Sequence, residues 1–451
     1  MLKLAGPVLQ TYNQLKMRTF LTLSLSVSIG LTSGLMVSLL FVSLDWVTAL
    51  REASPGLIIG LPVAGVIIAL LHRYQGGAPG RFHPTDTELL KASLHSDSDA
   101  RCLPRWFAPQ VLLSTCLTHL LGGSAGREGA ATQISAGLTR LLPATFFADP
   151  DLRQGMLLCA LASGFAAALG APISGLVFAW EFSQRLRLGK RVPFLMILAV
   201  LSSLLATEWL GTKHLVFPKF QFGTSTSMAS QVVLFSAISL LASLPFALLA
   251  LALEWGMARM EQIRLQIRVR ISDRMDGVYL GFFGGVILLL AFAVLDLVGL
   301  TARDYQGLGL RTLMLAFSAP LGIEMGREIG FEMPFLKLIL TVLTLGAGFK
   351  GGEFVPLFFI GATCGSALAR WIPFEGMSTL LPALGCVTVF GVARGSPGTA
   401  LALSLELFGA KTLPFSMIAL LSAQLIQKGF KGGQPKKPQV PDDILPKSRS
   451  G

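Results

Sequence analysis

Charge is scarce in this chain. Asp, Glu, Lys and Arg make up 14% of its 451 residues, against about 25% in soluble globular proteins, and so little charge excludes a water-soluble globular protein. Cysteine is equally thin. Cys102, Cys116, Cys159, Cys364 and Cys386 lie far apart, with no CxxC pair and no His/Cys cluster. That excludes a disulfide framework and a zinc site; no metal, cofactor or enzymatic reaction is expected. Negative charge is the scarcer sign, leaving a net charge of +12. The positive excess is local: Arg185, Arg187, Lys190 and Arg191 in one stretch, Arg259, Arg264, Arg268, Arg270 and Arg274 in a second, and Lys428, Lys431, Lys436 and Lys437 in the tail. These clusters interrupt or follow apolar runs, so membrane topology accounts for them and nucleic acid is not an expected partner. Basic loops stay in the cytoplasm, which places both termini there, in a multi-pass protein of the cell (inner) membrane.

What the chain has instead is apolar sequence, 52% by residue, with a mean hydropathy of +0.65. Phe20 to Val42 follows Lys16 and Arg18 and is too long for a signal-peptide core, so it reads as a retained helix. Further apolar segments follow to residue 427. Some, such as 109–122 and 308–320, are too short to cross a core about 30 Å thick; others, such as 152–182, hold two helices broken at a glycine. Short and Gly/Pro-interrupted segments together are the pattern of transporters with discontinuous helices.

Such a fold predicts an internal repeat, and one is present. FAAALGAPISGLVFAWE from Phe165 aligns with FGVARGSPGTALALSLE from Phe390, a shift of 225 residues (390 − 165). The same shift carries Gly123 to Gly348, Gly126 to Gly351 and Glu128 to Glu353. The expected organisation is a first membrane repeat over 1–256, a second over 257–427, and a basic, disordered cytoplasmic tail over 428–451. The class is all-α integral membrane, with two inverted-topology repeats of tilted and broken helices.

The repeat gives a reason for GGSAGREGAA, Gly122 to Ala131, which keeps Arg127 and Glu128 side by side between apolar runs. A charge at membrane depth costs about 2.5–3.5 kcal/mol on the insertion scale. Both halves place a glutamate after glycines and before an apolar run. Glycine lets the backbone turn and approach a ligand closely, and the helix start beyond it carries unpaired N–H groups and the positive end of a dipole. Two such starts meeting near the midplane form an anion site.

GREGxxxQ at 126–133, Gly-x-Pro nine residues before Glu181, and GExxP at 352–356 together resemble the CLC family of anion channels and proton-coupled antiporters. THLLGGSAGREGAATQ and GFKGGEFVPLFFIGATCGSALA are most similar to its bacterial fluoride/proton antiporter branch. The resemblance implies anion transport, coupled to protons, of fluoride or chloride. Glu128 then matches the gating and proton-carrying glutamate. Gly126, Arg127 and Gly129 match the anion-binding loop around it. Phe354 and Val355 match the helix start whose N–H groups face the central anion, and Glu353 matches the extra glutamate of the fluoride branch. The family also implies a homodimer in the lipid bilayer, each subunit with its own pathway. Three positions depart from the pattern. Residues 75–95 match neither known form of the first loop, no tyrosine lies near the C-terminal end of the pore, and Val355 stands where the fluoride branch has threonine. A passive chloride channel and a non-transporting membrane scaffold of the same fold are the alternatives. Glu181 and Glu406 read as helix-end or interface residues, and His119 as a packed, hydrogen-bonded side chain.

Overall fold

The computed structural model describes residues 5–73, 90, 93–94, 103–142, 150–183, 189–224, 227–271, 275–318, 329–372 and 374–431. The unmatched loop at 75–95 falls outside this set except at 90, 93 and 94, and so do Cys102, Arg185, Arg187, Arg274 and residues 432–451. Among the described residues the regular structure is helical, with one isolated bridge between two glycines.

The first half comprises α1 (Ala5–Ala53), α2 (Leu61–Arg73), α3 (Phe107–Leu120), α4 (Glu128–Leu138), α5 (Pro150–Leu169), α6 (Pro172–Phe182) and α7 (Val192–Trp209). The second comprises α8 (Met228–Ile271), α9 (Asp276–Leu297), α10 (Leu310–Ser318), α11 (Glu332–Gly346), α12 (Phe354–Ala369), α13 (Met377–Arg394), α14 (Pro397–Leu403) and α15 (Leu413–Lys431). Seven of the helical segments are long and apolar enough to cross a membrane, while the α12 segment and Pro397–Phe408 are apolar but shorter. Large apolar side chains such as Leu35, Trp46, Leu205, Leu241 and Leu290 face outward. Water would reject that surface and lipid tails accept it.

The breaks lie where the glycines predict them. Gly170 and Gly395 adopt positive φ of 68° and 61°, a conformation glycine reaches without a steric penalty. The amide after each, Ala171 or Ser396, then bonds back to Ala166 O (3.3 Å) or Gly391 O (3.2 Å) and closes the finished helix. Pro172 and Pro397 open the next one, where a missing N–H costs nothing.

The two halves are joined by reciprocal bonds, which is what a local two-fold relation requires. Glu406 accepts hydrogen bonds from the Ile173 N–H (2.7 Å), the Ser174 N–H (2.8 Å) and the Ser174 hydroxyl (2.5 Å) at the start of α6. Glu181 does the same for the Gly398 N–H (2.6 Å), the Thr399 N–H (3.0 Å) and the Thr399 hydroxyl (2.5 Å) at the start of α14. Donors and acceptors correspond at the 225-residue shift, and both glutamates are the helix-end residues the sequence suggested.

Two expectations need correction. At the glycine loops the correspondence is 226 residues (352 − 126): Gly126 and Gly352 bond to each other in both directions, at 2.6 and 2.7 Å. The positive-φ glycines Gly122 and Gly348 keep the same shift. Glu128 therefore corresponds to Phe354, and Glu353 to Arg127; the two glutamates are not symmetry mates. Gly351 and Gly352 both lack a side chain, so sequence matching chose the wrong one, and only the bridge fixes the register. Second, the junction drawn at 257 lies inside α8, which runs from Met228 to Ile271.

Candidate functional site

The site is built where α4 and α12 begin. The loops leading into them cross so closely that no side chain fits between. A Cβ on Gly352 would lie 2.6 Å from the Gly129 nitrogen, and one on Gly129 would lie 2.8 Å from the Gly352 Cα. One on Gly351 would meet the Ala125 Cβ at 2.5 Å. The glycines thus serve first to let two backbones touch, and the helix starts are pinned beside each other as a result. Neither start has a side-chain cap, and Pro356 has no N–H to satisfy, so each presents the unpaired N–H groups and positive dipole end that suit an anion.

Glu128 is the first residue of α4 and is 1% exposed. Its hold is loose. One carboxylate oxygen accepts the Arg127 N–H at 3.2 Å, while the other lies 3.5 Å from Arg127 Nε with no hydrogen bond, near the long limit for such contacts. The Arg127 guanidinium lies over the Phe41 ring of α1, 3.5 Å from its centroid, a cation–π contact that anchors the arginine away from the cavity.

A cavity of about 90 Å³ runs beside these helix starts, lined by Glu128, Gly129, Thr132 and Gln133 from α4 and by Glu353, Phe354 and Arg394 from the second half. Such a space holds a small ion and a few waters. Aromatic rings form its wall: Phe354 lies between Phe165 (5.8 Å, 85°) and Phe390 (5.1 Å, 63°), and Phe178 stacks on Phe165 at 4.4 Å.

Of the residues singled out from sequence, Glu128, Gly129, Glu353 and Phe354 share this cavity. Gly126 forms the bridge, Arg127 turns to Phe41, and Val355 is fully buried behind the wall, its nitrogen 3.1 Å from where a Gly126 Cβ would sit. Glu353 is the residue before α12, and its carboxylate accepts a hydrogen bond from Arg394 Nη1 at 2.7 Å, the two side chains being 26% and 32% exposed.

Sequence reasoning missed Arg394, and it missed a buried lysine behind the first glycine loop. Lys337 of α11 is 0% exposed and donates to Tyr305 O and Gly307 O, both at 2.9 Å. The Gly307 N–H bonds Gly123 O at 3.1 Å, and Arg51 Nη1 bonds His119 O at 2.7 Å. His119 is packed as expected, its ring nitrogens 2.8 Å from Thr115 O and 3.1 Å from Ala125 O. Together these groups hold the Gly122–Gly126 loop from behind. The one signal in the sequence was a lone lysine inside the apolar run FLKLILTVL.

Comparison with known proteins bears on the family and the fold. The sequence profile of the voltage gated chloride channel family matches residues 64–428. A chloride/fluoride channel protein of Pseudomonas syringae pv. tomato is 30% identical over 415 residues, covering 90% of this chain and 83% of its own. The crystal structure of a CLC-type fluoride/proton antiporter superposes with a TM-score of 0.74 at 26% identity, over 91% of this chain and 96% of the other. The structure of a slow cyanobacterial chloride/proton antiporter superposes at 0.67 and 15% identity, over 92% and 95%, a likeness of fold.

Proposed function

The chain belongs to the voltage gated chloride channel family of anion transport proteins, and from that premise we propose that it exchanges fluoride for protons across the cell membrane, with Glu128 as the gating and proton-carrying group. The observation that carries the reading is the loosely held Glu128 carboxylate at the start of α4, on a cavity it shares with Glu353. An ionised carboxylate there occupies the helix start that an anion needs and repels the anion. Once protonated, it loses its charge and becomes a donor, its attraction to Arg127 falls away, and it swings aside with its proton as the anion takes its place.

Glu353 favours fluoride over chloride. Fluoride is small and strongly hydrated, so its site must replace lost water with strong donors. A protonated carboxyl at the cavity adds such a donor, whereas its ionised form only accepts. The solved antiporter at 26% identity is described as a fluoride/proton exchanger, which supports the same choice. We read the assembly as a homodimer with a pathway in each subunit and both termini in the cytoplasm.

Purified protein in liposomes, with fluoride and chloride efflux followed by ion-selective electrodes and protons by a pH electrode, tests the proposal. Fluoride should leave faster than chloride, with protons moving in the opposite direction against their gradient. Chloride efflux as fast as fluoride would reject the anion assignment, and the absence of proton movement would reduce the protein to a channel.

A further inference from the structure

Arg394 stands at the end of α13, one residue before the left-handed Gly395. It is the only arginine or lysine among the described residues lining the cavity of Glu128 and Glu353. A guanidinium has five N–H donors in a fixed fork. Its sole hydrogen-bonded side-chain partner among the described residues is one Glu353 oxygen, at 2.7 Å. A cation with donors to spare therefore lines the anion cavity, engaged on one side by a carboxylate that is itself an anion. The Glu353 oxygen stands in for the species a recruiting arginine would otherwise hold. Its partial exposure means that neither partner is locked in the packed interior, so the pair can open without disturbing the core.

We propose that Arg394 is an anion-binding residue: it captures the transported anion at the mouth of the cavity, and Glu353 and the anion take turns on its guanidinium. The ion pair is then the resting, anion-free form of a subsite. An anion arriving from the Arg394 end displaces the carboxylate. Recruitment then rests on one arginine, 41 residues in sequence from its carboxylate partner. This rests on the reading of the protein as an anion transporter and adds to it a residue that neither glycine loop contains.

The alternative role for Arg394 is to neutralise Glu353 so that the cavity does not repel anions. Charge bookkeeping separates the two. Initial fluoride efflux from liposomes is measured against internal fluoride concentration for the full-length wild type, Arg394→Gln, Arg394→Lys, Glu353→Gln and the double variant Arg394→Gln/Glu353→Gln, with elution from a sizing column as the check on folding. Direct capture predicts a half-saturating concentration raised about tenfold in Arg394→Gln, the equivalent of one charge-assisted hydrogen bond, with the deficit largest at low fluoride. Arg394→Lys, which keeps the charge but not the fork, falls between. Glu353→Gln lowers the half-saturating concentration because the competitor is weakened, and the double variant stays as poor as Arg394→Gln. A double variant restored to wild-type affinity would overturn the proposal in favour of neutralisation. So would an unchanged half-saturating concentration in Arg394→Gln, or, should that variant fail to fold, an unchanged one in Glu353→Gln. Calorimetric titration of the detergent-solubilised proteins with sodium fluoride keeps this separate from transport. A wild type that binds fluoride but passes none refutes the transport reading alone, while equal binding by wild type and Arg394→Gln refutes the Arg394 subsite alone.

Discussion

At the scale of single residues, a carboxylate acts according to how firmly it is held. Glu406 and Glu181 each accept three hydrogen bonds at 3.0 Å or less, and such carboxylates are structural. Glu128, with one hydrogen bond of 3.2 Å and an ion contact of 3.5 Å, is buried without being fastened. We expect Glu128→Gln to abolish fluoride-driven proton movement while anion flux persists or changes in rate; a pH electrode on proteoliposomes would register it, and proton pumping that survived the substitution would remove Glu128 from the mechanism. Its position could be read from GREG because the motif is local. Arg394 could not: its partner lies 41 residues away, and one arginine at the end of an apolar segment looks the same whether it faces a headgroup or a cavity. Lys337 was hidden for a related reason, since the two carbonyls that satisfy it belong to an irregular turn with no pattern of its own.

Helices report their ends more reliably than their neighbours. The breaks at Gly170 and Gly395 were legible because a left-handed glycine followed by proline is a local event. The meeting of α4 and α12 was legible in outline, as two glycine-rich loops before two apolar helices, but its register was not. The crossing itself makes a sharp prediction. Gly352→Ala puts a methyl carbon 2.6 Å from the Gly129 nitrogen, backbone against backbone with no flexible side chain to yield. The cost should be about 1–3 kcal/mol, the usual range for overpacking, seen as a lower unfolding temperature and lost flux. Gly56→Ala, where nothing lies within 4 Å, should stay within about 0.5 kcal/mol of wild type, as surface changes do. Equal unfolding temperatures for the two variants would show that the loops can part without loss.

For the molecule as a whole, composition and the repeat already gave an all-helical, twofold membrane fold, because hydropathy and duplication are properties of long stretches and survive local ambiguity. The outer surface is less determined by such patterns, since lipid and a second subunit ask for the same side chains. Trp180, Phe194, Leu201, Leu205, Trp209, Leu421 and Leu425 on α6, α7 and α15 are all exposed, and we expect a second copy to cover part of the outward apolar surface. Native mass measurement from gentle detergent should give twice the chain mass; monomer alone, also after cross-linking in bilayers, would contradict it. The reciprocal glutamates have a consequence for the order in which the protein is made. The donors at the start of α6 wait for Glu406, 232 residues beyond Ser174, and at ribosomal speed that interval is roughly ten to fifty seconds. Through that time the newborn first half carries bare amides at one end of α6 and the unanswered carboxylate of Glu181 at the other. The pairing of the two halves is therefore completed last, once the helices that carry Glu406 and the start of α14 have been made.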